Sequence, residues 1–326
     1  MKYGKKYIPR TDLALEAREL VKDSSSDFGE GIIVKEKSIE NVNISITDIT
    51  ITNDTVAKSL GKRVGEYITI EAPELIYNED EYHNKVSKEL KKCMTDIINS
   101  KFESYKSSSE PNNLSTRKKS DKIKILIAGL GNRDATPDAL GPMVVSNIRV
   151  TRHIEELGVK ADELFLNEDY IFSAIAPDVM AKTGMETVEI IKGIVERTLP
   201  DIVVVVDSLA ARDTKRLGRT IQITDTGIAP GSGVMNKRKE INEEVLKVPV
   251  IAVGVPMVID AVTIVYDTIK KISDEEETEI LEEALNEYVE SMYVTPKDID
   301  ECVKRISYTI SEAINSMSSH KSKAKE

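Results

Sequence analysis

Two carboxylates draw attention because of the residues around them. Asp207 closes the run Ile202-Val203-Val204-Val205-Val206. A run apolar on both faces is the pattern of a central parallel strand, so Asp207 is expected at that strand's carboxyl end. A charge there is costly to bury unless it is paired or used; the plainer alternative is a cap for the turn Ser208-Leu209-Ala210-Ala211. Asp138 lies four residues before Pro142. Proline favours the first turn of a helix, which sets Asp138 near a helix N-terminus, where the dipole favours a carboxylate. Its plainer role is an N-cap or turn residue in Thr136-Pro137-Asp138. Brought together at about 4 Å in an effective dielectric near ~20, two such charges repel by roughly 4 kcal/mol. That is about three pKa units, enough to keep one carboxyl protonated while the other ionises. The ionised group can take a proton from water and the protonated one can hydrogen-bond a peptide carbonyl. This is hydrolysis by acid–base chemistry, without a metal or a covalent nucleophile.

Other chemistries find less support. The three histidines, His83, His153 and His320, form no HExxH pattern for zinc. Gly231-Ser232-Gly233 lacks the spacing of a nucleophile elbow. Gly129-Leu130-Gly131 opens like a dinucleotide fingerprint, but Asp134 stands where its last glycine belongs. Two competing readings remain: a metal-dependent hydrolase with Asp138 and Asp207 as ligands, and a non-catalytic nucleotide- or partner-binding α/β module. Ligands of an open α/β sheet bind outside the carboxyl ends of its strands, so Gly131, Asn132, Asp134, Arg212 and Asp260 join the two aspartates as residues to watch. Gly131, Asn132 and Arg212 are candidates for contacting substrate or offering backbone donors, with Lys237 a weaker one.

The elements that must position these groups follow from periodicity. A helix is predicted from Leu13 to about Lys22. Strands are predicted at Gly31–Val34, Val42–Ile51 and Tyr67–Ile70, followed by an amphipathic helix over 81–102 and a polar loop over 104–122. The apolar strand Ile123–Ala128 leads into Gly129, and a helix is predicted from Pro142 to Leu157. A helix over 184–198 carries a capping box from Thr183 and Glu186. Strands at Ile202–Asp207, Thr220–Thr224 and Val248–Val255 follow, then helices over Val258–Lys270 and Pro296–Met317. Strands alternating with helices predict a three-layer α/β/α fold with a mostly parallel central sheet. The strand-rich N-terminal part and the helical insertions belong to the same domain, with a helical tail over about 272–318.

The 326 residues carry a net charge of −11, which disfavours binding nucleic acid through phosphates. The basic clusters, Lys237-Arg238-Lys239 among them, read as solvated surface. Cys93 and Cys302 form no CxxC pair, which fits free thiols in a reducing compartment. No signal-like segment opens the chain, and no apolar run approaches the ~18 residues that span a bilayer. The expectation is a cytosolic protein with no membrane partner.

Several stretches together resemble the germination protease family: Arg10-Thr11-Asp12-Leu13-Ala14, Gly129-Leu130-Gly131-Asn132, Thr136 to Pro142, and Val150-Thr151-Arg152-His153. The likeness continues through Thr183 to Thr187, Asp207 to Arg212, Asp225 to Val234, and Gly254-Val255-Pro256. It covers most of the chain in order. It implies a core similar to hydrogenase maturation proteases and an endopeptidase made as a homotetrameric zymogen in the forespore cytoplasm. That enzyme would digest small acid-soluble spore proteins during germination, with no cofactor. The family's proposed catalytic aspartates match Asp138 and Asp207. In the hydrogenase relatives the equivalent acids join a histidine to bind metal; no histidine counterpart is evident here. Family substrate sites resemble Thr-Glu-(Phe or Ile)-Ala-Ser-Glu, cut after the first Glu. Thr11-Asp12-Leu13-Ala14-Leu15-Glu16 is similar, which implies a propeptide of residues 1–12, a cut between Asp12 and Leu13, and one catalytic domain over 13–326. Thr11 or Asp12 could equally cap the following helix. Two departures stand out: Asp178 where glycine is expected, and Met235 in a position usually glycine.

Overall fold

A computed structural model describes residues 11–23, 31–108, 122–157, 169–231, 238–272 and 292–317. Its strands are β1 (Ile32–Ile39), β2 (Ile44–Ile51), β3 (Gly65–Glu71), β4 (Ile123–Gly129), β5 (Tyr170–Ile175), β6 (Ile202–Ala211), β7 (Thr220–Thr224), β8 (Val250–Asp260) and β9 (Tyr293–Val294). The helices are α1 (Ala14–Asp23), α2 (Asp54–Leu60), α3 (Asp80–Ser108), α4 (Leu140–Asn147), α5 (Arg152–Glu156), α6 (Met180–Thr183), α7 (Thr187–Thr198), α8 (Glu243–Leu246), α9 (Ala261–Ile272) and α10 (Ile299–Asn315).

The strands form one sheet in the order β1-β2-β3-β7-β8-β6-β4-β5, with β9 on β8. Only β8-β6-β4-β5 is parallel; the pairs from β1 to β8 are antiparallel, as is β8 with β9. The expected parallel core is β8-β6-β4-β5, and the sheet as a whole is mixed because the strand-rich N-terminal part joins it through β3 and β7. Its parallel part explains the valine run. Ile202, Val204 and Val206 face a core shared with α3, α4 and α10, whereas Val203 and Val205 face α7 and α8. Towards the far edge, α1 and α2 cover Ile49, Ile51 and Tyr67. Helices on both faces give the three layers.

Several predicted boundaries move, each for a tertiary reason. β6 runs four residues beyond Asp207 because β8 continues beside it as far as Asp260. Asp207 is thus inside a strand, not at its end. The helix predicted from Val258 starts at Ala261, where Asp260 Oδ1 accepts the Val262 N–H at 2.9 Å. The helix predicted over 142–157 breaks after Asn147. There Thr151 N–H donates to Phe172 O and Thr151 Oγ1 accepts the Phe172 N–H, both at 2.9 Å, so this segment turns to meet β5. β5 itself was not predicted. The loop expected from 104 begins later, since α3 continues to Ser108 and Tyr105 donates to Lys247 O at 2.9 Å; residues 109–121 lie outside the described residues. The capping box is formed by Glu186 and Glu189, not Thr183 and Glu186.

The C-terminal helix is no appendage. Val303, Ile306, Ile310 and Ile314 of α10 are fully buried in the core with α3 and α4. Ile310→Ala should therefore cost about 2–5 kcal/mol, read as a lower urea midpoint with an unchanged slope.

Candidate active site

Asp207 is only 5% exposed. Its strand register explains the space beside it. Asp207 pairs with Gly254 of β8, and Gly254 pairs in turn with Gln222 of β7. All three lie in one row across the sheet, on the face that bears Val205 and Ala252. Neighbouring strands are about 4.8 Å apart, so Asp207 and Gln222 stand roughly 10 Å apart, with the Leu209 side chain packed over Gly254 between them. A cavity of about 190 Å³ opens beside this row, and its walls include Asp12, Lys62, Asp207, Leu209, Gln222 and Gly254. It lies between the α7–α8 layer and the α1–α2 layer.

Asp138 reaches this neighbourhood from the loop after β4. Leu130 N–H donates to Val206 O at 2.8 Å, tying that loop to the residue before Asp207. Gly131 then adopts φ 109°, a region that favours glycine. A side chain at Gly131 would collide with Asp138 O. Asn132 N–H donates to Asp138 Oδ2 at 2.7 Å. The backbone donor expected of Asn132 is therefore aimed at Asp138. Gly141, at the start of α4, packs so close to Leu130 and Val206 O that no larger residue fits. This interlock gives Gly129-Leu130-Gly131 a packing role without invoking a nucleotide.

The two carboxyls are both shifted upward, to different extents. Burial pushes Asp207 well above the usual carboxylate range, and the Asp138 charge pushes it further; the Ser208 N–H and Arg238 pull the other way. Burial also raises Asp138, against the Asn132 hydrogen bond and Arg238, with Asp178 adding to the rise. Both acids are thus shifted upward, and Asp207, the more deeply buried, is shifted further. Arg238, read from sequence as solvated surface, is thus the cation whose field reaches both. Asp178 sits at φ 64°, a left-handed conformation that Asp tolerates better than most residues. Replacing the expected glycine there adds a charge that Asp138 feels.

The N-terminal segment enters the same cavity. Asp12 N–H donates to Ala210 O at 3.0 Å, and Ala210 N–H donates to Asp12 Oδ2 at 2.9 Å. The Asp12 carbonyl accepts from Lys62 Nζ at 2.8 Å and Gln222 Nε2 at 3.2 Å. Leu13 N–H donates to Thr11 Oγ1 at 2.9 Å, a turn before the helix rather than the cap foreseen for Thr11 or Asp12, since α1 starts at Ala14 and its first turn closes on Leu13 O. Leu13 itself is fully buried. Four residues past Asp12, Glu16 accepts N–H groups from Arg212 and Asp213 at 2.8 and 2.9 Å. Arg216 lies 3.4 Å from Glu16 and also binds Glu19 and Glu71. So Arg212 meets Glu16 through its backbone.

Asp134 is instead exposed and bonded to Lys182, and Asp260 caps α9; neither lines the cavity. Lys237 and Met235 lie outside the described residues. Lys62, Gln222 and Arg216 were missed from sequence, since each is an isolated polar residue in an unremarkable local pattern; Glu16 was read only as part of the cleavage-site likeness. Among the described residues, no group of three His, Cys, Asp or Glu side chains is arranged to hold a metal ion. No helix among them is long and apolar enough to cross a membrane.

Comparison with known proteins gives a consistent picture. A family model described as germination protease matches residues 10–273. A curated germination protease of Caldanaerobacter subterraneus subsp. tengcongensis is 42% identical over 327 residues, covering 94% of this chain and 93% of that protein. One from Clostridium perfringens is 37% identical over 330 residues, covering 95% and 94%. One from a Geobacillus species is 44% identical over 270 residues, covering 81% and 67%. Among solved structures, a NiFe hydrogenase maturation protease of Thermococcus kodakarensis covers 60% of this chain and 94% of that one. Its TM-score is 0.29 at 20% identity, too distant a likeness to bear on function.

The raised pKa of Asp207 has a stability consequence. Above the unfolded-state carboxyl pKa of about 3.9, the folded state holds a proton that the unfolded state releases, so stability falls as pH rises. Asp207→Asn should accordingly melt at a higher temperature than the parent at pH 7. The gap should close towards pH 4, as read by circular dichroism at both pH values.

Proposed function

The chain belongs to the germination protease family, a family of peptidases, and on that premise we propose that it is a zymogen that cuts itself between Asp12 and Leu13, with Asp138 and Asp207 as its acid–base pair. One observation supports this reading above the others: Asp12 and Asp207 line the same cavity. The bond foreseen as the processing site thus begins at a residue that shares a wall with the most perturbed carboxyl.

The chemistry follows from the ordering of the two protons. Asp138, the first to ionise, accepts a proton from the attacking water. Asp207 retains its proton for the reacting peptide. The rate then rises as pH passes the raised pKa of Asp138 and falls once Asp207 ionises, which gives a bell-shaped profile. Recognition uses acids on both sides of the bond. Asp12 is held by the Ala210 N–H, and Glu16 by two N–H groups and Arg216. Small acid-soluble spore proteins with a similar acidic spacing would occupy the same positions in a homotetramer acting in the spore core.

Three variants test this. Asp138→Asn and Asp207→Asn should each abolish processing while retaining the folded circular dichroism spectrum. Intact mass of the processed parent should show a new N-terminus at Leu13. Processing by both variants, or a different start, would refute the reading. Glu16→Gln should slow processing about tenfold, since a charge-assisted pair to backbone and arginine is weakened.

A further inference from the structure

The carbonyl of Asp12 is gripped more firmly than a peptide at the edge of a fold requires. Lys62 Nζ donates to it at 2.8 Å and Gln222 Nε2 at 3.2 Å, so two side-chain donors converge on one oxygen. Gln222 is buried at 6% exposure, and its Oε1 also accepts the Ala14 N–H at 2.7 Å. One side chain therefore spans the Asp12–Leu13 bond, fixing the backbone before and after it. Lys62 also reaches Thr11 O at 3.3 Å. Burial lowers the pKa of the Lys62 ammonium, which is costly to desolvate, and the nearby Asp12 and Glu16 charges oppose that fall. A single neutral amide would satisfy a resting carbonyl; a cation beside it matters more when negative charge develops on that oxygen.

We infer that Lys62 and Gln222 form the oxyanion-stabilising pair for cleavage of the Asp12–Leu13 bond, with Lys62 a catalytic residue. The inference rests on the reading that this bond is the one cut. Water attacks the Asp12 carbonyl carbon and its proton passes to the Asp138 carboxylate. The carbonyl π pair moves onto oxygen, where the Lys62 ammonium and the Gln222 amide receive it by hydrogen bonding, each keeping its own protons. When the C–N bond breaks, its electron pair goes to the Leu13 nitrogen, which takes the proton of Asp207. The products are the Asp12 carboxyl group and the Leu13 amine. With both donors on the oxygen, the proton of Asp207 is free for the leaving nitrogen.

The test follows self-processing of the full chain by intact mass, for the parent and for Lys62→Met, Lys62→Arg and Gln222→Leu. Loss of one oxyanion donor costs about 100-fold or more in rate, and that is the loss expected for Lys62→Met. Lys62→Arg, which keeps a charged donor, should recover at least tenfold of it, and Gln222→Leu should slow the reaction about tenfold. Hydrogen exchange of the stretch 11–16 should be unchanged in Lys62→Met, because the Asp12–Ala210 hydrogen bonds remain. A parent-like rate in folded Lys62→Met overturns the inference, as does slowing that comes with lost protection of 11–16, which would make Lys62 only a clamp. Should Lys62→Met not fold, a parent-like rate in Gln222→Leu overturns it alone. If the parent is cut at another bond, the underlying reading fails instead, and the mass identifies that case directly.

Discussion

Asp207 is a carboxyl group held in the interior of a strand, beside a glycine, almost wholly shielded from solvent. An ionised carboxylate in such surroundings is strongly disfavoured, so the group keeps its proton well above the usual range. Everything else at the site is arranged around that constraint. The Asp138 charge reaches this group and pushes it further in the same direction. Gly254 lets the Leu209 side chain pack down onto the sheet between Asp207 and Gln222, which stand two strand spacings apart.

The second acid is positioned by backbone rather than by side-chain packing. The loop after β4 is anchored to Val206 through Leu130, turns at Gly131 in a conformation suited to glycine, and presents the Asn132 N–H to Asp138. Gly141 lets α4 approach the strands closely enough to complete this turn. The two aspartates are therefore linked through a few rigid main-chain contacts. Small residues in this loop serve the relative placement of two charges.

The N-terminal segment is held by main-chain pairing of Asp12 to Ala210 and by backbone N–H groups at the carboxylates of Asp12 and of Glu16, which already lies in helix α1. Arg216 ties Glu16, Glu19 and Glu71 together, so the strand end beyond Asp207 and helix α1 hold each other in register. The continuation of β6 past Asp207 is what supplies the Ala210, Arg212 and Asp213 backbone groups for this grip.

Much of this was legible in the residues. The valine run announced a strand buried on both faces, Pro142 set a helix start after Asp138, and the alternation of Val, Ile and polar residues over 42–51 marked a half-buried strand. These are local patterns, and local patterns record which faces are buried. The end of β6, the break after Asn147 and the mixed direction of the sheet were not legible. Each depends on which distant segment supplies the next hydrogen bonds: β8 for β6, β5 for Thr151, β7 for β3. The same holds for Lys62, in the loop between α2 and β3, and Gln222, in β7, which meet at the Asp12 carbonyl only in the folded chain. Sequence determined the acids and the apolar surfaces that would bury them. Tertiary structure alone decided which charges meet, because hydrogen-bond partners and separations across a sheet are properties of its strand order.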